Sequence, residues 1–421
     1  MRANDRPAAL GKKAIRAENC LHETVQCRVD EFVIGRMQNK WGGQSILHGL
    51  KPPRDSLHMS SNDYLSLLNE PELKRRQASV LLKDNRELLQ SAVFQFSDAP
   101  QKHFEKRLAQ FMGAEDGVLC QSGCAANIGL LQALANGRFP VYIDMFAHAS
   151  LWEGARAAGA CAIAFVHNGW KHAHSQIVKN GPGVIVIDSV YSTNGSLAPI
   201  ERFVEVAELT GSILVVDESH SLGTHGSQGR GLVCAYGLED RVHFRTASLA
   251  KTFAGRAGFA TCSSDFKNYF LSESWPTIFS SGLLEHEIAW LDAALDFISI
   301  ADDRRANLHR MSNFARTQLT ELGYNVSEGS EQIIGLEAGE EWRTLALRNA
   351  LERRGIFGSV FCAPATADSR SLVRLTVNAR HDDSDIARLI AVCAEIREEV
   401  DLANWSSTKR GVRRQESRGQ V

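Results

Sequence analysis

Thr246-Ala-Ser-Leu-Ala-Lys-Thr-Phe-Ala-Gly-Arg-Ala-Gly258 and Val215-Val-Asp-Glu-Ser-His-Ser-Leu-Gly-Thr-His-Gly226 decide how this chain is read. In each stretch an apolar, strand-like run gives way to a turn of small and polar residues. Lys251 lies in the first turn and Asp217 opens the second, 34 positions earlier (251 − 217). If the two runs are neighbouring strands, an amine and a carboxylate of buried type meet at their ends. Pyridoxal phosphate (PLP) needs that pair, a lysine for its Schiff base and an acid to keep the pyridine nitrogen protonated.

Outward from these runs, short apolar segments recur at Gly117–Cys120, Val141–Ile143, Cys161–Val166, Val184–Ile187 and His243–Thr246. Between them lie stretches long enough for helices, such as Ala125–Ala135 and Ile200–Thr210. Strand–helix alternation of this kind predicts an α/β fold with a mainly parallel sheet covered on both faces. Ligands of such sheets bind beyond the carboxyl ends of the strands. Ser122, Gly123, His148, Asp188, the run Asp217–His220 and Lys251 all fall there. Beyond about residue 300 the pattern predicts a smaller α/β unit, with a long helix over Ala301–Leu322, strands at Gln332–Leu336 and Leu372–Val377, and a last helix from Ser384. The expected division is an N-terminal segment 1–55, a large cofactor-binding domain 56–298, a small C-terminal domain 299–404, and an unstructured polar, basic tail 405–421.

Composition narrows the function class. A chain of 421 residues exceeds one compact core, and 23% charged residues with a net charge of −2 give no electrostatic case for nucleic acid or an anionic membrane. Nine cysteines without CxxC spacing argue against a disulfide framework or structural zinc, so a reducing cytoplasm is expected. No apolar run approaches the roughly 18 residues of a spanning helix, and the first residues lack the apolar stretch of a signal peptide. A soluble enzyme is expected, with no metal: the cluster Asp217, Glu218, His220 and His225 matches no zinc spacing.

Each candidate has a plainer alternative. Lysines are ordinarily solvated, but Lys251 sits among Ala250, Phe253, Gly255 and Gly258, where desolvation would free its amine. Asp217 is either a helix cap or the partner of a pyridine nitrogen. Ser122-Gly-Cys-Ala-Ala-Asn127 is a tight strand–helix turn, or a phosphate seat to which Ser248 adds a hydroxyl. His148 is a cap or core histidine, or a flat ring stacked on the cofactor. Asp188 and Ser192 form a turn, or orient the cofactor. Arg374 interrupts the apolar run Leu372–Val377 and either snorkels to the surface or grips a carboxylate.

Taken together, these motifs resemble the α-oxoamine synthases, a family of fold type I PLP-dependent transferases. The likeness runs from Ser61-Asn-Asp-Tyr-Leu65 through Ser122-Gly123, His148-Ala-Ser-Leu151, Asp217–His220 and Lys251 to Arg374. Within the family it is most similar to the CqsA-type quorum-sensing autoinducer synthases, through Phe146–Arg156, Asp188–Thr193, Asp217–Gly226, Ile278-Phe-Ser-Ser281 and Gly358–Cys362. The resemblance implies that Lys251 carries PLP, that Asp217 pairs with the ring nitrogen, and that His148 stacks on the ring. It places His220 and Ser192 toward the phenolic oxygen, and Ser122, Gly123, Cys124 and Ser248 around the phosphate. Arg374 would meet the amino-acid carboxylate, and Ser280 and Ser281 would reach across a homodimer interface to the other site's phosphate. The implied substrates are a medium- to long-chain acyl-CoA and S-adenosylmethionine or 2-aminobutyrate. Biosynthetic relatives, of the 8-amino-7-oxononanoate or sphingoid-base type, are the enzyme alternative, and an inactive scaffold subunit is the non-enzyme one. Two positions depart from the family: Cys124 stands where an aromatic is common, and Ser91-Ala-Val-Phe-Gln-Phe-Ser97 replaces a Gly/Ser-rich segment.

Overall fold

The computed structural model describes residues 21–83 and 89–410. Its centre is a seven-stranded sheet built from β2 (Asp116–Cys120), β3 (Val141–Asp144), β4 (Ala162–Phe165), β5 (Val184–Asp188), β6 (Ile213–Asp217), β7 (Phe244–Ser248) and β8 (Gly258–Cys262). The spatial order is β2-β8-β7-β6-β5-β3-β4, and all neighbours are parallel except those of β8. The central strands β3, β5 and β6 are almost wholly buried, β5 reading Val-Ile-Val-Ile-Asp, which is why they carry apolar runs. Helices Gly123–Leu134, Ala149–Ala157, Trp170–Asn180 and Ile200–Thr210 follow successive strands. The last of these matches its expected span residue for residue. Strand β8 was missed because Gly258–Cys262 opens on the glycine that ends the Lys251 turn and carries a single β-branched residue, Thr261.

A second, antiparallel sheet of three strands has β12 (Ser371–Thr376) between β9 (Ile333–Gly339) and β11 (Ser359–Phe361). Helices Asp302–Glu321, Glu341–Glu352 and Asp383–Glu395 accompany it. The expected break at 298/299 falls at the last residue of the helix Glu285–Ser299, just before the helix Asp302–Glu321, and one apolar cluster runs through both parts. The N-terminal segment is tied to the second sheet: the Trp41 indole donates to Glu341 at 2.9 Å and packs with Ile46, Leu345 and Cys362.

The expected start of an unstructured tail at 405 is wrong. Trp405 is buried, donates to the Val400 carbonyl at 2.8 Å and meets Tyr324 edge-on, and Arg410 is paired with Glu337. A polar, aperiodic stretch hid one indole large enough to anchor the chain. Residues 411–421 lie outside the described residues. Among the described residues no helix is long and apolar enough to cross a membrane, and the eight cysteines are free.

Candidate active site

The strand ends bring the polar residues together. In the parallel ladder Asp188 is level with Asp217, and Asp217 with Thr246, so three polar side chains stand abreast where β5, β6 and β7 stop. Asp217 is buried, yet its recorded partners are neutral. The Asn127 amide donates to one carboxylate oxygen at 2.8 Å and the Ser219 backbone N–H to the other at 2.8 Å. Asn127 is itself fixed, accepting from Thr246 at 2.6 Å and donating to Ser150 at 2.9 Å. A buried carboxylate held this way lacks only a cation. The adjacent Glu218 points elsewhere: it is buried against Arg245 and accepts from the Val233 N–H at 3.0 Å, so it secures the turn.

Lys251 lies in the turn after β7. Burial chiefly, with help from the Arg374 charge, holds its amine below the usual lysine range, while Asp217 pulls the other way. Arg374 is buried on β12 and does not snorkel. Its guanidinium donates to the Ser192 carbonyl at 3.0 Å and to Asn62 at 2.9 Å, its Nε has no partner, and it lies over the Phe361 ring. His220 is buried, with Nδ1 2.7 Å from the Tyr64 hydroxyl. Desolvation, then the Lys251 and Arg374 charges, push its pKa well down and keep the ring neutral. Asp188, buried beside Asp217, has its carboxyl pushed up by desolvation first and that neighbouring charge second.

The opposite end of the cavity is made of backbone. Ser122 caps the helix Gly123–Leu134, accepting from the Ala125 N–H at 3.1 Å, so the first turn presents free N–H groups and the positive end of the helix. Closeness here depends on glycine. A Cβ on Gly258 would stand 2.1 Å from the Ser122 carbonyl oxygen, and one on Gly123 2.6 Å from the Ser248 Cβ. His148 serves as the N-cap of the helix Ala149–Ala157 through Nδ1, which accepts from the Ser150 N–H at 3.2 Å, while the ring lines the cavity. The cap and stacking readings are therefore compatible.

The enclosed volume is about 200 Å³. Of the residues singled out in the sequence, Ser122, Gly123, Cys124, His148, Asp188, Asp217, His220, Ser248 and Lys251 line it, together with Asn127, Ser150, Val190 and Ser219. These residues fit PLP: an anion seat at one end, a buried carboxylate without a cation at the other, and an amine between strand ends. Ser192 meets the site only through its carbonyl on Arg374. Ser280 and Ser281 do not line the cavity; the Ser280 hydroxyl is turned to the Pro276 carbonyl and Ser281 accepts from Gln121 at 2.6 Å. Asn127 was overlooked because amides carry no motif signal, although its place four residues into the phosphate turn offered one. Tyr64 and Asn62 belonged to a quoted motif without a role, since their partners, His220 and Arg374, are 156 and 312 positions away.

Residues 54–392 match the family model of aminotransferase class I and II. The chain is 41% identical over 378 residues to a CAI-1 autoinducer synthase of Vibrio campbellii, covering 90% of this chain and 96% of that protein. The chain is an α-oxoamine synthase of that aminotransferase family. An 8-amino-7-oxononanoate synthase of Exiguobacterium sibiricum is 27% identical over 83% of this chain and 90% of its own length. The synthase also shares its fold with a serine palmitoyltransferase from S. paucimobilis carrying a PLP–myriocin aldimine, with TM-score 0.82 and 21% identity over 90% of this chain and 99% of that one. An 8-amino-7-oxononanoate synthase from Francisella tularensis superposes with TM-score 0.72 and 20% identity over 82% and 99%. It is thus a PLP-dependent acyltransferase of fold type I.

Proposed function

We propose that this synthase joins a medium- to long-chain acyl-CoA to an amino-acid-like substrate, S-adenosylmethionine or 2-aminobutyrate, and so makes an α-aminoketone precursor of a diffusible signal. The carrying observation is the 41% identity to a CAI-1 autoinducer synthase, spread over 96% of that protein. PLP, when bound, supplies an electron sink for negative charge at the substrate's α-carbon. Lys251 anchors the cofactor and then moves the α-proton, a task suited to an amine held below its usual range. Asp217 keeps the proton on the pyridine nitrogen, and Asn127 keeps Asp217 aimed. The His148 ring covers one face of the cofactor and excludes water. His220, neutral and braced by Tyr64, faces the phenolic oxygen, and Arg374 grips the α-carboxylate with the donor it has free. In the acyl transfer a carbon–carbon bond forms at the α-carbon, the thioester carbon–sulfur bond breaks, coenzyme A leaves as the thiol, and the carboxylate departs as carbon dioxide.

A second cavity of about 410 Å³ supports a long acyl group. Its walls include Phe146, Ala147 and Trp152, neighbours of His148 in the sequence, and Pro364, Ala365 and Leu372, with Glu337 and Arg370 also lining it. Phe94 and Phe96, the aromatics of the departing segment, do not line it, so within one chain the acyl reading rests on this cavity. We place the enzyme in the cytoplasm as a homodimer, with Ser280 and Ser281 completing the partner's phosphate seat. The test is competition among acyl-CoAs of graded length with one amino donor. Acyl groups of about eight to fourteen carbons should exceed acetyl- and succinyl-CoA more than tenfold in kcat/KM, since each buried methylene contributes about 0.8 kcal/mol. A preference for short or dicarboxylic acyl groups would replace this reading with the biosynthetic one.

A further inference from the structure

Three side chains from separate parts of the chain converge behind the turn that carries His220, outside the cofactor cavity. They are His225 in that turn, His309 on the helix Asp302–Glu321, and Glu331 just before β9. A ring nitrogen of each histidine and a Glu331 carboxylate oxygen all lie within 4.8 Å of one another. His225 Nε2 is 2.8 Å from Glu331 Oε2, and His309 Nδ1 is 3.8 Å from the same oxygen.

The other ring nitrogens settle what these atoms present. His309 Nε2 lies 2.8 Å from the Thr224 carbonyl, which can only accept, so Nε2 carries the hydrogen and Nδ1 turns a lone pair to the cluster. His225 Nδ1 lies 2.9 Å from the Thr224 hydroxyl. That hydroxyl spends its own hydrogen on the carbonyls of His220 and Ser221, at 3.0 and 3.1 Å. With its hydrogen on either carbonyl the hydroxyl accepts from Nδ1–H, the tautomer in which His225 Nε2 also presents a lone pair. Ser330 donates to the other Glu331 oxygen at 2.8 Å and fixes the carboxylate. In that tautomer three acceptors converge on one point, an arrangement that a cation between them satisfies, whereas in the other tautomer the 2.8 Å contact is a His225 N–H donating to Glu331. A proton on His225 would satisfy one contact and leave the His309 lone pair facing the carboxylate.

We propose that His225, His309 and Glu331 bind a divalent cation of the zinc class in a structural site. Tetrahedral zinc with bonds of about 2.0–2.1 Å sets its ligands about 3.3–3.4 Å apart, and the separations of 2.8 and 3.8 Å bracket that value. Each imidazole has its second nitrogen held by a hydroxyl or carbonyl, as ligand histidines do. His309 is a third exposed, which leaves room for water as the fourth ligand. The site joins the His220 turn to β9, because Gln332, next to Glu331, donates to the His220 carbonyl at 2.9 Å. It clamps the turn and takes no part in the chemistry.

The PLP-loaded protein, stripped with a chelator and then titrated with zinc chloride, should retain one zinc per chain after removal of excess metal and melt several degrees higher. His309→Gln and Glu331→Gln should each weaken retention at least tenfold. Thr224→Val leaves every ligand in place but frees the His225 tautomer, and should weaken retention by about 10–100-fold; a simple His225–Glu331 ion pair would show no zinc to lose. Cobalt substitution of the unaltered protein gives a readout free of folding defects, with visible bands of a tetrahedral ion expected. Absence of those bands, or zinc retention no greater than in His309→Gln, overturns the site and leaves the cofactor cavity's assignment untouched.

Discussion

The strand-end cavity and the face formed by Ser91–Ser97 and Trp275–Ser281 differ in how far one chain finishes them. In the cavity nearly every polar group already has its partner: Asp217 is held by Asn127 and Ser219, Asn127 by Thr246, and His220 by Tyr64. The second face leaves Phe94, Phe96, Trp275 and Phe279 at 66%, 79%, 65% and 74% exposure. Its two segments lie against each other through the Ser91–Ser281 bridge, and Gln121, beside the phosphate turn, donates to Ser281. The first region is preorganised for chemistry. The second is an apolar surface that water disfavours and that a second subunit would cover.

The largest effect expected belongs to the preorganised side. Lys251→Ala should abolish the yellow, borohydride-reducible linkage and cut turnover by roughly 10³-fold or more, since anchor and base are lost together. Retention of both in that variant, read by absorbance and product formation, would remove Lys251 from the centre of the site. A smaller effect is expected on the unfinished side. Trp275→Ser combined with Phe279→Ser should raise the dimer dissociation constant by 100-fold or more, each buried aromatic contributing about 1.5–3 kcal/mol. Sedimentation of the unaltered protein as a monomer at micromolar concentration would break the comparison.

The smallest effect concerns the charge balance at Lys251. Uptake of PLP by the apoprotein needs the neutral amine, so its pH midpoint should fall below the ordinary lysine value of 10.5, because burial and Arg374 disfavour the charged form. Arg374→Gln removes a repelling charge and should move the midpoint up. Asp217→Asn removes an attracting one and should move it down. Shifts of the same sign in both variants would show that burial alone governs the amine.

Much of this was legible along the chain. Buried parallel strands advertise themselves as apolar runs, so β5 and β6 were placed to within one residue, and with them Asp217, while β7, which carries Arg245 and Thr246, was placed to within two, and with it Lys251. Helix Ile200–Thr210 was set by apolar periodicity and ended at Gly211, which adopts the left-handed conformation that glycine accepts. Strand β8 was not legible, since a short glycine-led segment is held by its antiparallel neighbours and not by propensity. Trp405 was equally hidden, as one anchoring contact has no period.

The sequence by itself determined six of the sheet's seven strands, the turn chemistry at their ends, and which residues could hold a cofactor, because these depend on local spacing of apolar, small and polar residues. Tertiary structure decided what those residues meet. It paired Asn127 with Asp217, Tyr64 with His220, and Arg374 with Asn62. It left Phe94 and Phe96 outside the cavity beside Phe146 and Trp152 and drew His225, His309 and Glu331 together. Hydrogen bonds and buried charges act over a few ångströms in space, whatever the distance along the chain, and only the packed fold sets those distances.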